Sequence, residues 1–246
     1  MIPKVIHYCW FGRNPLPKLA LKCIDSWRKF FPDYEIKEWN EDNFDVNIIP
    51  YTRDAYEAKK YAFVSDYARF WILYHYGGIY FDTDVEVIRP MDDIIERGPF
   101  MGIECGINDG KKLSVAPGLG LAVDEGNDLF KMIVKQFDEL DYWLPNGQRN
   151  SYTMIPLISD LLISKGLRVE DCIQFVDSIY VYPPEYFNPL EDATGELKTT
   201  ENTRSIHWYM KSWMTTETRV SLFIKRMMRR LLGKRVMNSL KRFFVS

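Results

Sequence analysis

Nowhere in this sequence do eighteen apolar residues follow one another, which on hydropathy alone excludes a helix that spans a membrane. The first eleven residues hold no basic stretch leading into an apolar one, being broken by Pro3, Lys4 and His7, so they do not read as a secretory leader, and a cytoplasmic protein is expected. Cysteine is sparse. The 4 thiols, Cys9, Cys23, Cys105 and Cys172, lie far apart and form neither a Cys-x-x-Cys pair nor a Cys/His ligand pattern, so reduced, mostly buried thiols are expected. Internal repeats and low-complexity tracts are also missing, which removes solenoids and disordered linkers from consideration.

What is present suits a globular protein. With 246 residues, 46% hydrophobic and 27% charged, the chain can bury a sizeable core and defaults to one domain of α/β size. Aromatic residues reach 15%, which serves packing and the stacking of sugars or bases equally well. The net charge of −2 hides an asymmetry: residues 217–246 hold nine basic residues against one acidic, +8, leaving 23 basic against 33 acidic, −10, on residues 1–216. A split of this kind points to a tail with a partner of its own.

The pattern along the chain alternates strands and helices. Residues 4–11 read as a strand, 18–31 as a helix stopped by Pro32, and 34–39 as a second strand, a unit that predicts a parallel sheet. Residues 61–76 have helical spacing and end at Gly77-Gly78. Ile79-Tyr80-Phe81 is a buried strand leading into Asp82-Thr83-Asp84, with 85–88 extended beyond it. Strands are read near 100–104 and 119–123, helices near 127–140 and 152–165, and a short apolar piece at Phe175-Val176. The stretch 182–189 is expected to run irregularly over the surface, and 204–209 to return as a last strand.

The carboxylates thus fall at the carboxyl end of a core strand, the edge where open α/β sheets bind ligands. On an extended backbone side chains alternate, so Asp82 and Asp84 would face one way. Two hard oxygen donors suit Mg²⁺ or Mn²⁺, which complete their shells with phosphate oxygens and water. Such an ion stabilises the charge that develops on a β-phosphate as a sugar–diphosphate bond breaks. Aspartates after strands are also common caps and turn residues, so the tripeptide gains its meaning from its neighbours. Asp66 and Arg69 stand three apart on one face of the helix over 61–76, where they can pair or point together at a ligand. Charges on so apolar a helix need a reason.

Three blocks, residues 2–12 (IPKVIHYCWFG), 62–69 (AFVSDYAR) and 76–84 (YGGIYFDTD), closely resemble the sugar-binding-region, DXD-containing glycosyltransferases of family 32, which include bacterial capsular polysaccharide transferases and yeast outer-chain mannosyltransferases. The resemblance is strong over about residues 1–90 and looser near 204–213. It implies a GT-A fold with a mostly parallel central sheet, a UDP- or GDP-hexose donor, a divalent cation, retention of anomeric configuration and a glycan or lipid-linked acceptor. A more distant similarity to the clostridial toxin glucosyltransferases suggests roles. Trp10 would stack on the nucleobase, Asp66 would hold sugar hydroxyls, and Arg69 would hold the diphosphate or the sugar. Asp84 would ligate the metal directly, with Asp82 on the ribose or on the metal through water. Ser212 and Trp213 would close over the diphosphate, and His207 would be a third metal ligand or a phosphate contact, ligation being the weaker role because these ions prefer oxygen. For His7 and His75, core packing is the expected fate.

No residue outside these blocks stands out as a nucleophile, in keeping with attack by the acceptor hydroxyl from the leaving-group side. Glu104, Asn108, Asp109, Tyr152 and Thr153 could each touch an acceptor sugar, but structural turn duty is the expected fate of each. In the tail, Val220, Phe223, Ile224, Met227, Met228, Leu231 and Leu232 form one stripe of a helix with Arg219, Lys225, Arg226, Arg229 and Arg230 opposite, and the pattern resumes after Gly233. Residues 217–246 therefore read as an amphipathic helix on an anionic membrane surface, with docking on the acidic body of residues 1–216 as the alternative, and nucleic acid disfavoured. Two further readings compete with a transferase: a non-catalytic sugar-binding module at the membrane, and a DxD phosphatase, against which Glu86 and the motif's distance from the N-terminus both count.

Overall fold

The computed structural model describes residues 1–107, 110–150 and 152–210, together with Ser221. The chain opens with β1 (Val5–Cys9), α1 (Lys18–Phe30) and β2 (Glu35–Trp39). Pro17 precedes α1, and Ala20, Cys23, Ile24 and Trp27, at three- and four-residue spacing, are its buried face. β1 and β2 pair in parallel from Val5↔Glu35 to Cys9↔Trp39, as a strand–helix–strand unit requires.

Next come α2 (Pro50–Glu57) and α3 (Tyr61–Tyr76). α3 is apolar nearly all round because it is covered on several sides, packing on α2, β1 and a later helix, α5 (Asp128–Phe137). Gly77 ends it at φ 59, where a Cβ would stand 2.7 Å from the Glu125 amide, so only glycine serves. β3 (Gly78–Tyr80) follows at once, then β4 (Val85–Val87), a short α4 (Asp92–Arg97), β5 (Phe100–Cys105), β6 (Ser114–Val115), a single 3₁₀ turn (Pro117–Leu119) and β7 (Leu121–Val123) before α5. The remainder is α6 (Met154–Ser164), β8 (Gln174–Val176), β9 (Ile179–Tyr182), α7 (Pro184–Phe187), β10 (Leu190–Glu191), β11 (Glu196–Leu197) and β12 (Ser205–His207).

The main sheet has the order β2-β1-β3-β7-β5-β9-β8, with β6 paired beside β5. Along that order β2, β1, β3, β5 and β9 run one way, while β7 and β8 are reversed, so the sheet is mixed but mostly parallel in direction. Both faces are covered. Tyr80, Met101, Leu121 and Val123 belong to one buried cluster and Ile79, Phe81, Phe100 and Ala122 to the other, the alternation that a two-faced sheet produces.

The stretch 182–189 is not the irregular surface segment its prolines suggest. Tyr182 ends β9, α7 follows, and Phe187 is fully buried against Phe100 with ring centroids 5.4 Å apart. The prolines there set a helix start rather than an exposed loop. His7 is the packing histidine expected of it. Trp39 Nε1 donates to its Nδ1 at 3.0 Å and its Nε2 lies 3.1 Å from the Gly77 carbonyl, while burial lowers its pKa to about 4 and keeps it neutral. All four cysteines are thiols outside any disulfide, with Cys9 and Cys23 buried, Cys105 half-buried and Cys172 exposed.

Candidate functional site

After β3 the chain does not stay extended. Asp82-Thr83-Asp84 forms a turn closed by the Val85 amide donating to the Asp82 carbonyl at 3.0 Å, and the turn, not strand alternation, makes the two carboxylates converge. β12 then pairs antiparallel with β4, setting His207 opposite Val85. As a result Asp82, Asp84 and His207 each offer a ligand atom, all lying within 4.8 Å of one another.

Asp84 is held from three directions. Its Oδ1 lies 3.2 Å from His207 Nε2, its Oδ2 accepts the Met210 amide at 2.7 Å, and its carbonyl accepts the Trp208 amide at 2.9 Å. Burial alone would raise its pKa, but the charge and hydrogen bond of His207 and the Met210 amide outweigh that, and the carboxyl sits below its ordinary value. Burial likewise pulls His207 down, yet Asp84, Asp82 and Glu104 raise it overall. A divalent cation fits this place: two hard carboxylates flank it, and His207 Nδ1 is buried without a partner among the described residues.

Asp82 is built into a second array. Its Oδ1 lies 3.1 Å from Arg69 Nη2 as an ion pair and accepts the Tyr80 hydroxyl at 3.1 Å. The same Arg69 Nη2 reaches Asp66 Oδ1 at 3.1 Å, and Nε donates to the Ser65 carbonyl at 3.1 Å, so the guanidinium bridges two carboxylates while lying 4.9 Å from the Tyr80 ring centre. Arg69 is 3% exposed and its Nη1 has no hydrogen-bond partner among the described residues. Burial is the largest influence on both acids, raising Asp66 to about 6 and Asp82 above its usual value despite the arginine beside them. Of the two options left open by sequence, Asp66 and Arg69 do pair, and Arg69 adds Asp82 to the pair.

Asp66, Arg69, Asp82, Asp84 and His207 line one cavity of about 900 Å³, together with Trp10, Phe63, Glu104, Gly118, Arg149 and Thr153. The Trp10 indole N–H donates to the Asn14 carbonyl at 2.6 Å, which fixes the ring at the cavity wall. Glu104 accepts Ser114 Oγ at 3.2 Å and lies 3.2 Å from the Tyr209 hydroxyl. Tyr209 adopts the left-handed φ of 51 that lets the chain fold back over Asp84. Thr153 lines the cavity, whereas Tyr152 is exposed and does not. Trp208 points elsewhere: its indole N–H donates to Glu86 at 2.8 Å. Asn108, Asp109, Ser212 and Trp213 lie outside the described residues.

Sequence reasoning passed over Tyr80, Gly118, Tyr209 and the Met210 amide. Only Tyr80 carried a signal, standing two residues before Asp82 and hence on its side of the strand.

The family described as glycosyltransferase sugar-binding region containing DXD motif matches residues 17–101, the segment that supplies Asp66, Arg69, Asp82 and Asp84. This segment, 85 of the 246 residues, is similar to that family. Inositol phosphoceramide mannosyltransferase 1 of Schizosaccharomyces pombe is 30% identical over 111 residues, 41% of this chain and 33% of that protein. The mannosyl phosphorylinositol ceramide synthase CSH1 of Saccharomyces cerevisiae is 33% identical over 109 residues, 41% of this chain and 28% of that protein. The match thus spans a third or less of each of these relatives. Among solved structures, a glycosyltransferase involved in glycosylation of the major capsid of PBCV-1 superposes with a TM-score of 0.50 at 12% identity, covering 85% of this chain and 95% of that one. The shared fold is GT-A, as the DXD resemblance implies.

Proposed function

We propose that the protein is a retaining transferase that moves a hexose from a UDP- or GDP-sugar to a hydroxyl of a glycan or lipid-linked glycan, with Mn²⁺ or Mg²⁺ held by Asp84, Asp82 and His207. The observation that carries this reading is the meeting of those three side chains within 4.8 Å at the wall of a cavity large enough for a nucleotide-sugar. The bound cation would neutralise the diphosphate as it leaves. The chain's own residues do the rest: Trp10 stacks on the base, Arg69 and Asp66 fix the sugar, and Glu104 and Thr153 face the acceptor from the same cavity. The yeast relatives, an inositol phosphoceramide mannosyltransferase and a mannosyl phosphorylinositol ceramide synthase, support a hexose donor and a lipid-linked acceptor.

A panel of nucleotide-sugars with Mn²⁺, read by thermal stabilisation and slow donor hydrolysis, tests this directly. One UDP- or GDP-hexose is expected to raise the melting temperature of the wild type and to leave Asp84→Ala unmoved. Binding that ignores that substitution overturns the reading.

The proposal extends to place. A helix over residues 217–246, +8 and one-sidedly apolar, would hold the enzyme at the inner face of the cytoplasmic membrane, where a lipid-linked acceptor of capsular or other surface polysaccharide synthesis lies. Removing residues 217–246 is expected to release the protein from vesicles containing anionic lipid while donor hydrolysis persists. Unchanged vesicle binding would refute the anchor.

A further inference from the structure

We infer that Gly118 is a positioning residue of this site: its missing side chain leaves the space that Asp82 Oδ2 occupies, and so fixes the one oxygen of Asp82 that is left for a ligand. The inference rests on reading the cavity as a metal and donor site. Gly118 lies in the 3₁₀ turn between β6 and β7, and its carbonyl accepts the Asp82 amide at 3.3 Å. A Cβ on Gly118 would stand 2.0 Å from Asp82 Oδ2, 3.0 Å from Asp82 Cγ and 3.3 Å from Arg69 Nη1. Gly118 is absent from the residues with positive φ, so backbone freedom does not explain why it is glycine. Close approach does.

The end of a short side chain could swing aside, but Asp82 is not free to do so. Its Oδ1 is pinned by Arg69 Nη2 and the Tyr80 hydroxyl, and Arg69 is itself pinned by Asp66 and the Ser65 carbonyl. Oδ2 receives no hydrogen bond among the described residues. A methyl group at position 118 must therefore either displace Oδ2 or pull Oδ1 from its two partners. Either way the Asp82 carboxylate shifts within the group it forms with Asp84 and His207. The neighbouring glycine does a different job, since a Cβ on Gly120 would meet the Phe81 ring at 2.8 Å, within the core.

The test is a double-mutant cycle on the full chain with Gly118→Ala, Asp82→Ala and both together, using Mn²⁺ alone as the probe by calorimetry and melting each protein without metal. Gly118→Ala is expected to weaken Mn²⁺ binding at least tenfold beside the native Asp82, and to change it less than twofold once Asp82 is alanine. The metal-free melting temperature should fall in the first background and hold in the second. Equal losses in both backgrounds, or unaltered Mn²⁺ affinity in Gly118→Ala, would overturn the inference. If Gly118→Ala fails to fold, recovery of folding by Asp82→Ala supports it and failure of both refutes it. A wild type that takes up no Mn²⁺ overturns the metal reading, while the metal-free melts still decide whether Gly118 acts through Asp82.

Discussion

Asp84→Asn is expected to lower kcat/KM on the order of 10³-fold, about 4 kcal/mol of transition-state stabilisation, whereas Asp82→Asn should cost roughly 10- to 100-fold. The difference follows from what each carboxylate already does. Asp84 is held by His207 Nε2, the Met210 amide and, through its carbonyl, the Trp208 amide, so its oxygens are fixed in place with their charge intact. Its low pKa keeps that charge available, which is what a direct ligand needs. Asp82 shares its charge with Arg69, and Tyr80 occupies the same oxygen, so less of it is left for a cation. Asparagine at 84 keeps the volume but presents one neutral oxygen and a donor that faces His207. Single-turnover donor hydrolysis with Mn²⁺, alongside thermal melts, measures both variants. Equal losses would show that the two carboxylates ligate as equals, and a greater loss at Asp82 would make it the principal ligand.

The fold was legible wherever local pattern and tertiary burial agreed. The helix over 61–76 has the same bounds in sequence and structure because its apolar spacing, its length and Gly77 all say the same thing. β1, α1 and β2 came through within a residue or two for the same reason. β7 was legible as a strand but not as a reversed one, since direction is a property of pairing and not of a three-residue segment. The failure at 182–189 has a definite cause: Pro183 and Pro184 look like loop residues until α7 uses them as its start and buries Phe187. In the site, residue types revealed Asp66, Arg69, Asp82, Asp84 and His207, yet the sequence could not show that a turn brings the carboxylates together. Nor could it show Gly118, Tyr209 and the Met210 amide, which contribute a missing atom, an unusual φ and a backbone N–H, none of them marked by a side chain's chemistry.

Arg69→Met is expected to cost about 3–5 kcal/mol of folding stability at pH 8, more than any change in packing would predict, because it strands two carboxylates that share one buried cation. Methionine keeps most of the side chain's length and apolar contact, so the loss isolates the charge. Burial already raises the pKa of Asp66 to about 6 and lifts that of Asp82, and in both the arginine is the chief influence pulling the other way. Without it both values climb further. A carboxyl whose folded value lies above its unfolded one stabilises the fold when protonated, fully so below the unfolded value, and that contribution is lost as pH rises through the folded value. The penalty of Arg69→Met must therefore shrink on acidification from pH 8 to pH 5, whereas a pure packing defect would be the same at both. Denaturant unfolding at the two pH values measures it. Adding Asp66→Asn and Asp82→Asn should restore most of the stability and none of the donor turnover. That outcome would separate Arg69's part in holding α3 to the Asp82 turn from its part in holding a donor; a penalty equal at both pH values would instead mean that the loss is one of packing and not of charge.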